Sequence, residues 1–348
     1  MTRETPPADI AARKAEHIEL VLGGEAEFER RTGLERFEFV HEALPELSLK
    51  ELDTTTSLLG RRLLAPLIVS GMTGGTDQAA QINRRIAEAV AALGLGMGVG
   101  SQRISVERPE VTATFQVREL APNILLIANL GAVQLNYGFT VDHCRRLVDS
   151  IGADALALHL NPLQEAIQPG GNTDFRGLLG KIEQVCAQLS TPVIVKEVGC
   201  GISGATARRL VDAGVAAIDV GGAGGTCWTD IEGRRSTSSS VKSVAATFRE
   251  WGIPTADAVR FAREACPNTL LIASGGLRNG LDIAKCFALG ADVAAVASPA
   301  LMAAVESTEA VQELLARLSR ELKLAMFCTG SARPADLQKA IRGMKNWE

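Results

Sequence analysis

The sequence lacks the features that identify several classes of protein. Its seven cysteines are odd in number and show no CxxC or zinc-site spacing, so we expect reduced thiols and a cytoplasmic location. No stretch approaches the ~20 consecutive apolar residues of a membrane span. The charged, proline-containing N-terminus has no apolar region of the kind found in signal peptides. We therefore expect no membrane partner.

A strong excess of charge is missing as well. The 348 residues carry a formal net charge of −4, so nothing indicates a nucleic-acid partner. An anionic substrate would have to be held by local cations rather than by the field of the whole protein. Hydrophobic residues make up 46% of the chain, which is enough for a large core.

Eight apolar, β-rich runs alternate with helical patterns along most of the chain. This alternation predicts an α/β fold, and specifically a (β/α)8 TIM barrel with an N-terminal helical arm. A doubly wound open sheet is the alternative, but no GxGxxG opens an early βαβ unit. The predicted strands are Leu67–Ser70, Leu95–Val99, Ile124–Ala128, Ala155–Leu158, Val193–Lys196, Ala217–Val220, Leu270–Ala273 and Asp292–Ala297.

The alternation of strands and helices divides the chain into three parts. We interpret residues 1–64 as an N-terminal arm and lead-in, residues 65–330 as the barrel, and residues 331–348 as a short C-terminal tail. Residues 227–253 form a long insertion after the sixth predicted strand. Long loops at this face of a barrel are often lids, and composition alone leaves both a lid and disorder open.

The arm contains a predicted helix from Asp9 to Leu22. Arg13, Lys14 and His17 fall on one side of it, because residues three and four apart are neighbours on a helix. They form either a solvated basic face or an anion-binding arm.

Glycines or polar residues follow every predicted strand, at the barrel face where this fold places its chemistry. The seventh and eighth strands lead into Gly275-Gly276 and Ala297-Ser298. Backbone N–H groups and a helix N-terminus at these positions predict a phosphate site. A phosphate there, with polar residues at the C-terminal ends of the opposite strands, suits flavin mononucleotide (FMN).

The densest polar cluster is His159-Leu-Asn-Pro-Leu-Gln-Glu165, directly after the fourth predicted strand. Glu165 is a ligand type suited to Mg²⁺ that also binds phosphate oxygens. Asn161 and Gln164 can donate hydrogen bonds without adding charge. The alternative is a plain helix start, in which Asn161 is the cap and Pro162 the first residue.

Lys196 lies inside the apolar fifth strand and should point into the mouth of the barrel. A buried lysine is rare unless it is paired, so its partner could be Glu197 or another carboxylate of the barrel. In a functional role its ammonium would lie beside the flavin ring and stabilise the reduced, anionic form.

Taken together, these residues resemble the type 2 isopentenyl diphosphate isomerases, which are FMN-dependent barrel enzymes. The resemblance runs from the arm to about Leu301, and several of its motifs are general to FMN barrels. The arm, the HLNPLQE stretch and WGIPT are specific in combination. The motifs are Arg13-Lys14, Ser70-Gly-Met-Thr-Gly-Gly75, Ser101-Gln-Arg103, His159–Glu165, Lys196-Glu-Val-Gly199, Gly224-Gly-Thr226, Trp251-Gly-Ile-Pro-Thr255 and Ala273-Ser-Gly-Gly-Leu-Arg278.

The resemblance implies interconversion of isopentenyl and dimethylallyl diphosphate with FMN, Mg²⁺ and a reductant such as NADPH. Reduced FMN would itself act as acid and base, assisted by Gln164, His159 and Lys196. The family also implies a homo-oligomer, a tetramer or an octamer.

Carried over position by position, the resemblance also implies binding residues. Glu165 would bind Mg²⁺ on the diphosphate. The implied substrate-binding residues are Arg13, Lys14, Arg103, His159, Asn161 and Gln164. The implied FMN-binding residues are Met72, Thr73, Gly74, Ser101, Asn129, Lys196, Thr226, Gly275, Gly276, Leu277, Ala297 and Ser298.

Two positions depart from the expected pattern and leave alternatives. At position 298 the resemblance implies an arginine in many relatives, whereas this chain has Ser298, so a phosphate contact there would rest on backbone and hydroxyl. Cys227 follows Thr226 and would suit a cysteine nucleophile of the inosine-monophosphate dehydrogenase kind. A hydroxy-acid oxidase would need a histidine base just after the seventh predicted strand, and no histidine lies there. A scaffold that binds FMN without chemistry would not need the Gln164-Glu165 pair.

Overall fold

The fold is a closed barrel of eight parallel strands. The structure is a computed structural model that describes residues 7–24 and 26–343. It describes the side chains of all these residues except 7–12 and 15. Each strand pairs with its neighbours in sequence, and the last returns to the first. The predicted (β/α)8 barrel is therefore confirmed, and each of the eight apolar runs overlaps one strand of the barrel. These are β4 (Leu67–Val69), β5 (Gly96–Gly98), β6 (Leu125–Gly131), β7 (Ala155–Leu160), β8 (Val193–Glu197), β9 (Ala217–Asp219), β10 (Leu270–Ala273) and β11 (Val293–Val296).

The strands could be found because they are apolar on both faces. Side chains on one face fill the interior of the barrel, and those on the other pack under the surrounding helices. All seven residues of β6, for example, are buried. Parallel strands covered on both sides are nearly continuous apolar runs.

Helices surround the barrel and connect its strands. The last two helices are separated at Ser307, which is extended and whose side chain caps the final helix by accepting from the Ala310 N–H at 3.1 Å. The helices are α1 (Pro7–Leu22), α2 (Asp77–Leu93), α3 (Arg103–Glu107), α4 (Val141–Ile151), α5 (Pro162–Ile167), α6 (Leu178–Gln188), α7 (Gly204–Asp212), α8 (Trp228–Arg235), α9 (Ser239–Thr247), α10 (Thr255–Ala265), α11 (Gly280–Ala288), α12 (Ser298–Glu306) and α13 (Thr308–Phe327).

The lead-in closes the end of the barrel that lies away from the predicted site. Its hairpin, β2 (Thr56–Leu58) and β3 (Arg61–Leu63), buries Leu58 and Leu63 completely against the interior residues of the barrel strands. No helix within residues 7–24 and 26–343 is both long and apolar enough to cross a membrane.

The lead-in also pairs with the tail. Strand β1 (Phe37–Phe39) and strand β12 (Ile341–Gly343) form an antiparallel pair. The division into arm, barrel and tail stays an interpretation, since the outer ends of both extensions lie outside the described residues.

The insertion at residues 227–253 is folded, so the alternative of disorder is wrong. Helices α8 and α9 pack on each other, and α8 also contacts α5 and α1. This arrangement brings the insertion and the N-terminal arm together over the C-terminal ends of the barrel strands.

Candidate active site

A layer of polar side chains lies inside the barrel at the C-terminal ends of its strands. On β8, Ile194 packs in the interior while Val193 and Val195 pack toward the helices. Side chains alternate along a strand, so Lys196 faces the interior, as predicted. The same alternation defines what we call the polar layer: Asn129, His159, Lys196, Asp219 and Ser274.

Members of the polar layer contact one another across the strands. His159, Lys196 and Asp219 are register partners on β7, β8 and β9. His159 Nδ1 lies 2.8 Å from Asn129 Oδ1, and the Ser274 hydroxyl donates to Asp219. Burial, and next the charge of Lys196, lower the pKa of His159 to about 3. His159 is therefore neutral near pH 7.

The carboxylate that faces Lys196 is Asp219, not Glu197. Lys196 Nζ lies 3.9 Å from Asp219 Oδ2 and donates at 2.7 Å to the backbone carbonyl of Glu197. The Glu197 carboxylate instead accepts the N–H groups of residues 198–200. Burial raises the pKa of Glu197 to about 7 in spite of these three donors.

The tips after β4 and β5 pack back to back, which requires glycine. A Cβ at Gly71 would lie 2.0 Å from the Val99 carbonyl oxygen, and one at Gly100 would lie 2.5 Å from the Thr73 nitrogen. The hydroxyl of Thr73 is buried and has no hydrogen-bond partner in the described part of the chain. A buried polar atom without a partner is costly, so this hydroxyl is suited to a ligand.

The tips after β9 and β10 form a second glycine cradle. A Cβ at Gly275 would lie 2.0 Å from the Gly222 oxygen, and one at Gly276 would lie 2.3 Å from the Gly224 oxygen. Thr255 braces both tips by donating to the carbonyls of Gly275 at 2.6 Å and Ala223 at 3.3 Å. Helix α12 begins beside them at Ser298. Free backbone N–H groups and a helix N-terminus together suit a phosphate.

A cavity that is partly open to solvent lies between these tips. Residues predicted to bind FMN account for much of its wall, whereas Gly74, Ser101 and Asn129 lie outside its lining. Their part in binding stays a prediction. The predicted site residues that line the cavity are Lys14, Met72, Thr73, Lys196, Thr226, Gly275, Gly276, Leu277, Ala297 and Ser298.

The N-terminal arm covers the mouth of its own barrel. Lys14 and His17 of α1 line the cavity, and Lys14 Nζ donates at 3.0 Å to the backbone oxygen of Ser101. Burial, and next the charge of Arg13, lower the pKa of Lys14 to about 7. A buried amine beside a second cation favours an anion as its missing partner.

Glu232, on α8, joins the arm to the polar stretch after β7. Its Oε1 accepts from His17 Nε2 and from Gln164 Nε2, both at 3.0 Å, and Arg235 binds its Oε2 at 2.7 Å. Burial alone would raise the pKa of Glu232, but these hydrogen bonds and charges lower it to about 2. Sequence reasoning missed this residue.

The amides and the carboxylate after β7 form one hydrogen-bonded group. Asn161 Nδ2 donates to Gln164 Oε1 at 3.0 Å and to Glu165 Oε1 at 3.1 Å, and Asn172 N–H donates to Glu165 Oε2 at 2.6 Å. The Oδ1 atom of Asn161 is buried without a partner among the described residues. Helix α5 does begin at Pro162, so the stretch is both a helix start and a polar cluster.

The other predicted cations lie at the rim. Arg103 pairs with Glu107 at 2.9 Å on α3. Arg13 lies within electrostatic range of Arg103, Glu165 and Glu232. The structure therefore brings Arg13 to the same side of the mouth as Glu165, while Arg103 already has an acidic neighbour.

Comparison with solved structures supports the barrel but reaches only the fold. The chain superposes on lactate oxidase from Pediococcus acidilactici with a TM-score of 0.67 at 18% identity, covering 97% of this chain and 94% of that one. A mandelate oxidase variant gives a TM-score of 0.63 at 21% identity, with 96% and 97% covered.

Sequence comparison defines the class and then the family. Residues 165–343 match the model of the FMN-dependent dehydrogenases, so the chain belongs to that class of barrel proteins. The chain is also 54% identical to an isopentenyl-diphosphate delta-isomerase of Synechococcus sp. over 95% of this chain and 96% of that protein. The enzyme of the same name from Nostoc sp. is 52% identical, with 93% of each chain covered. The chain belongs to the isopentenyl-diphosphate delta-isomerase family.

Proposed function

We propose that this protein interconverts isopentenyl diphosphate and dimethylallyl diphosphate, with FMN in the cavity and the diphosphate under the arm. The observation that supports this most strongly is the position of α1. It lays Lys14 and His17 over the same cavity that Lys196 faces from below. An anionic substrate held there would have its carbon chain against the cofactor.

The residues present fit FMN. The glycine cradle at Gly275 and Gly276 offers a phosphate site, and Thr73 offers an unpartnered hydroxyl. Met72, Thr226, Leu277, Ala297 and Ser298 would complete the cofactor contacts, with Gly74, Ser101 and Asn129 from the neighbouring tips. When bound, reduced FMN would supply the group that delivers and removes the allylic proton.

Lys196 would act on the cofactor side of the reaction. It stands in a buried, polar layer with its ammonium facing the cavity. A fixed cation in such a site stabilises developing negative charge more strongly than it would in water. Lys196 would thereby hold the ring of the cofactor in place and favour its reduced form.

The diphosphate would be held by Arg13, Lys14 and Arg103. A bound anion favours the charged form of Lys14, whose pKa of about 7 leaves it only partly protonated in the free protein. His159 is neutral and would contribute a hydrogen bond rather than a charge. Asn161 and Gln164 would orient the substrate, with Gln164 itself held by Glu232 at 3.0 Å.

Glu165 would hold Mg²⁺ together with oxygen atoms of the diphosphate. Within the described ranges no three histidine, cysteine or acidic side chains converge on one point, so these residues offer Glu165 as a single ligand rather than a complete cage. Mg²⁺ commonly binds through one or two carboxylates and substrate phosphates, and this arrangement is what the site offers.

The reductant, the assembly and the location are further parts of the proposal. NADPH would reduce the cofactor, although the net reaction is redox-neutral. The protein would assemble as a tetramer or an octamer and act in the cytoplasm, where its seven free cysteines would stay reduced.

A cysteine-nucleophile mechanism is not favoured at Cys227. The residue is completely buried, and its thiol donates to the Arg249 carbonyl at 3.2 Å. Burial raises its pKa, whereas a nucleophilic cysteine needs a lowered one. The hydroxy-acid oxidase alternative rests on the fold alone, since those structures are about 20% identical to this chain.

The proposal is tested with a matched pair of glycine variants. Gly276→Ala puts a methyl group 2.3 Å from the Gly224 oxygen, whereas Gly138→Ala has a similar positive φ and open space. Wild type and Gly138→Ala should purify with a flavin spectrum and isomerise isopentenyl diphosphate once reduced. Gly276→Ala should lose both properties while remaining folded. Isomerisation that persists without bound flavin would overturn the proposal.

A further inference from the structure

Asp219 is an acidic member of the polar layer to which the proposed reaction gives no role. It is 4% exposed and lies on the interior face of β9, next to Lys196 on β8 and Ser274 after β10. It does not line the cavity, and its polar contacts are with Ser274, Gly221 and Lys196. A buried carboxylate is costly unless it is paired and hydrogen-bonded, so its role must come through its neighbours.

The neighbours of Asp219 hold its carboxylate in one orientation. The Ser274 hydroxyl donates to Oδ1, and the Gly221 N–H also donates to the carboxylate. Burial raises the pKa of Asp219, while the charge of Lys196 and these two donors act in the opposite direction and favour the ionised form. The two donors leave Oδ2 facing Lys196 Nζ at 3.9 Å. The separation is longer than a hydrogen bond, so Asp219 acts on Lys196 by charge.

The other acidic neighbour of Lys196, Glu197, interacts with its charge but is held by its own backbone and does not face the ammonium as Asp219 does. The Glu197 carboxylate is occupied by three backbone N–H groups, and Lys196 donates to the Glu197 carbonyl, not to its side chain. On the opposite side of Lys196 stands neutral His159. Asp219 is therefore the counter-charge that sets how much of the positive charge of Lys196 reaches the cavity.

We propose that Asp219 is a positioning residue that, through Lys196, weakens the preference of the site for the reduced over the oxidised cofactor. This inference rests on the proposed FMN site and deepens it. Without a compensating carboxylate, the positive charge of Lys196 would bind the reduced cofactor more tightly, because reduction adds negative charge to the ring. Asp219 compensates part of that charge and fixes the ammonium between the Glu197 carbonyl and the cavity.

The test is the midpoint potential of bound FMN in Asp219→Asn, together with the dissociation constants of oxidised and reduced FMN. The variant should favour reduced FMN about tenfold more than wild type, which is about +30 mV for a two-electron couple. A purely structural role would change the melting temperature and leave the potential unchanged.

Two further variants separate the proposed route from other effects. In a Lys196→Met background, Asp219→Asn should change the potential no further, because its effect acts through the ammonium. Asp154→Asn is the matched control, since Asp154 is a partly buried carboxylate paired with Arg61 and Arg118 away from the cavity. It should reduce stability and leave the potential unchanged.

Several results would overturn the inference. An unchanged potential in Asp219→Asn would do so, and so would an equal shift in the Lys196→Met background. If Asp219→Asn does not fold, Ser274→Ala removes a hydrogen bond that lowers the pKa of Asp219. The neutral form is then favoured, so the potential should shift in the same direction, and no shift there would count equally against the inference. A wild-type protein that binds no flavin would refute the proposed function instead.

Discussion

Replacing Glu232 by Gln would test the buried network that fastens the arm to the rest of the site. The carboxylate has no exposed surface and binds His17, Gln164 and Arg235. The amide keeps the shape of the side chain but loses the charge. Its N–H group also faces a donor in either orientation, because one side of the carboxylate contacts Arg235 and the other contacts His17 and Gln164.

Two estimates of the cost agree. The network lowers the pKa of Glu232 from 4.5 to about 2, which corresponds to about 3 kcal/mol of folding stability. Neutralising one partner of a buried ion pair costs about 3–5 kcal/mol. The lower end applies here, because Arg235 keeps a second partner in Glu16 at 2.7 Å. We expect a loss of about 3 kcal/mol at pH 7.

The stability lost in Glu232→Gln should depend on pH. Because the pKa is lowered in the folded protein, the stabilisation is present above about pH 4.5 and is lost as the pH falls through about 2. The difference between wild type and Glu232→Gln should therefore be smaller at pH 3 than at pH 7. The substrate KM should also rise, because His17 and Gln164 lose their common acceptor.

Urea unfolding at both pH values measures the effect. Glu16→Gln is the matched control: it removes an exposed carboxylate, 53% accessible, from the same arginine, and should cost less than about 1 kcal/mol. A loss below about 0.5 kcal/mol in Glu232→Gln, or the same loss at pH 3 as at pH 7, would refute the reasoning.

Further predictions concern the metal, the arm and the cofactor. Glu165→Gln should weaken magnesium-dependent activity and leave FMN bound, and wild-type activity across a magnesium titration would contradict this. Replacing Arg13 and Lys14 with Ala should raise KM far more than it lowers the melting temperature, whereas an unchanged KM would make them a solvated face. Because the protonated form of Lys14 binds the anion and its pKa is about 7, the KM of wild type should rise as the pH increases above 7, and a flat profile would exclude this role. Lys196→Met should weaken FMN binding, make the flavin potential more negative and lower kcat by about 100-fold, since one preorganised electrostatic partner contributes on the order of 3 kcal/mol; an unchanged potential with a lower melting temperature would leave Lys196 a structural residue.

The barrel could be predicted from sequence because its signal is local. A strand buried on both faces must be apolar at consecutive positions, and eight such runs at regular spacing leave few other folds. Lys196 could be identified by the same logic, as a charge inside an apolar run. Asp219 carries an equal signal inside Ala217–Val220 and was overlooked, although period-two alternation places it on the same interior face.

Glu232 could not have been found in that way. It lies in the insertion at 227–253, where neither apolar runs nor turn residues indicate a position in space. Its partners are His17, on the arm, and Gln164, after β7, and both contacts depend on how distant segments pack. The partner of Lys196 is likewise decided by packing, because the Glu197 carboxylate accepts hydrogen bonds from the backbone N–H groups that follow it.

The most direct test of the proposed function is the product formed from isopentenyl diphosphate. The purified protein would be supplied with FMN, a reductant and Mg²⁺ without oxygen, and both diphosphates would be followed over time. The account predicts that dimethylallyl diphosphate accumulates to an equilibrium ratio, that either omission of Mg²⁺ or oxidation of the flavin stops it, and that NADPH is not consumed in proportion to product. Oxidation of a 2-hydroxy acid with no isomer formed, or isomerisation that is indifferent to the flavin, would contradict it.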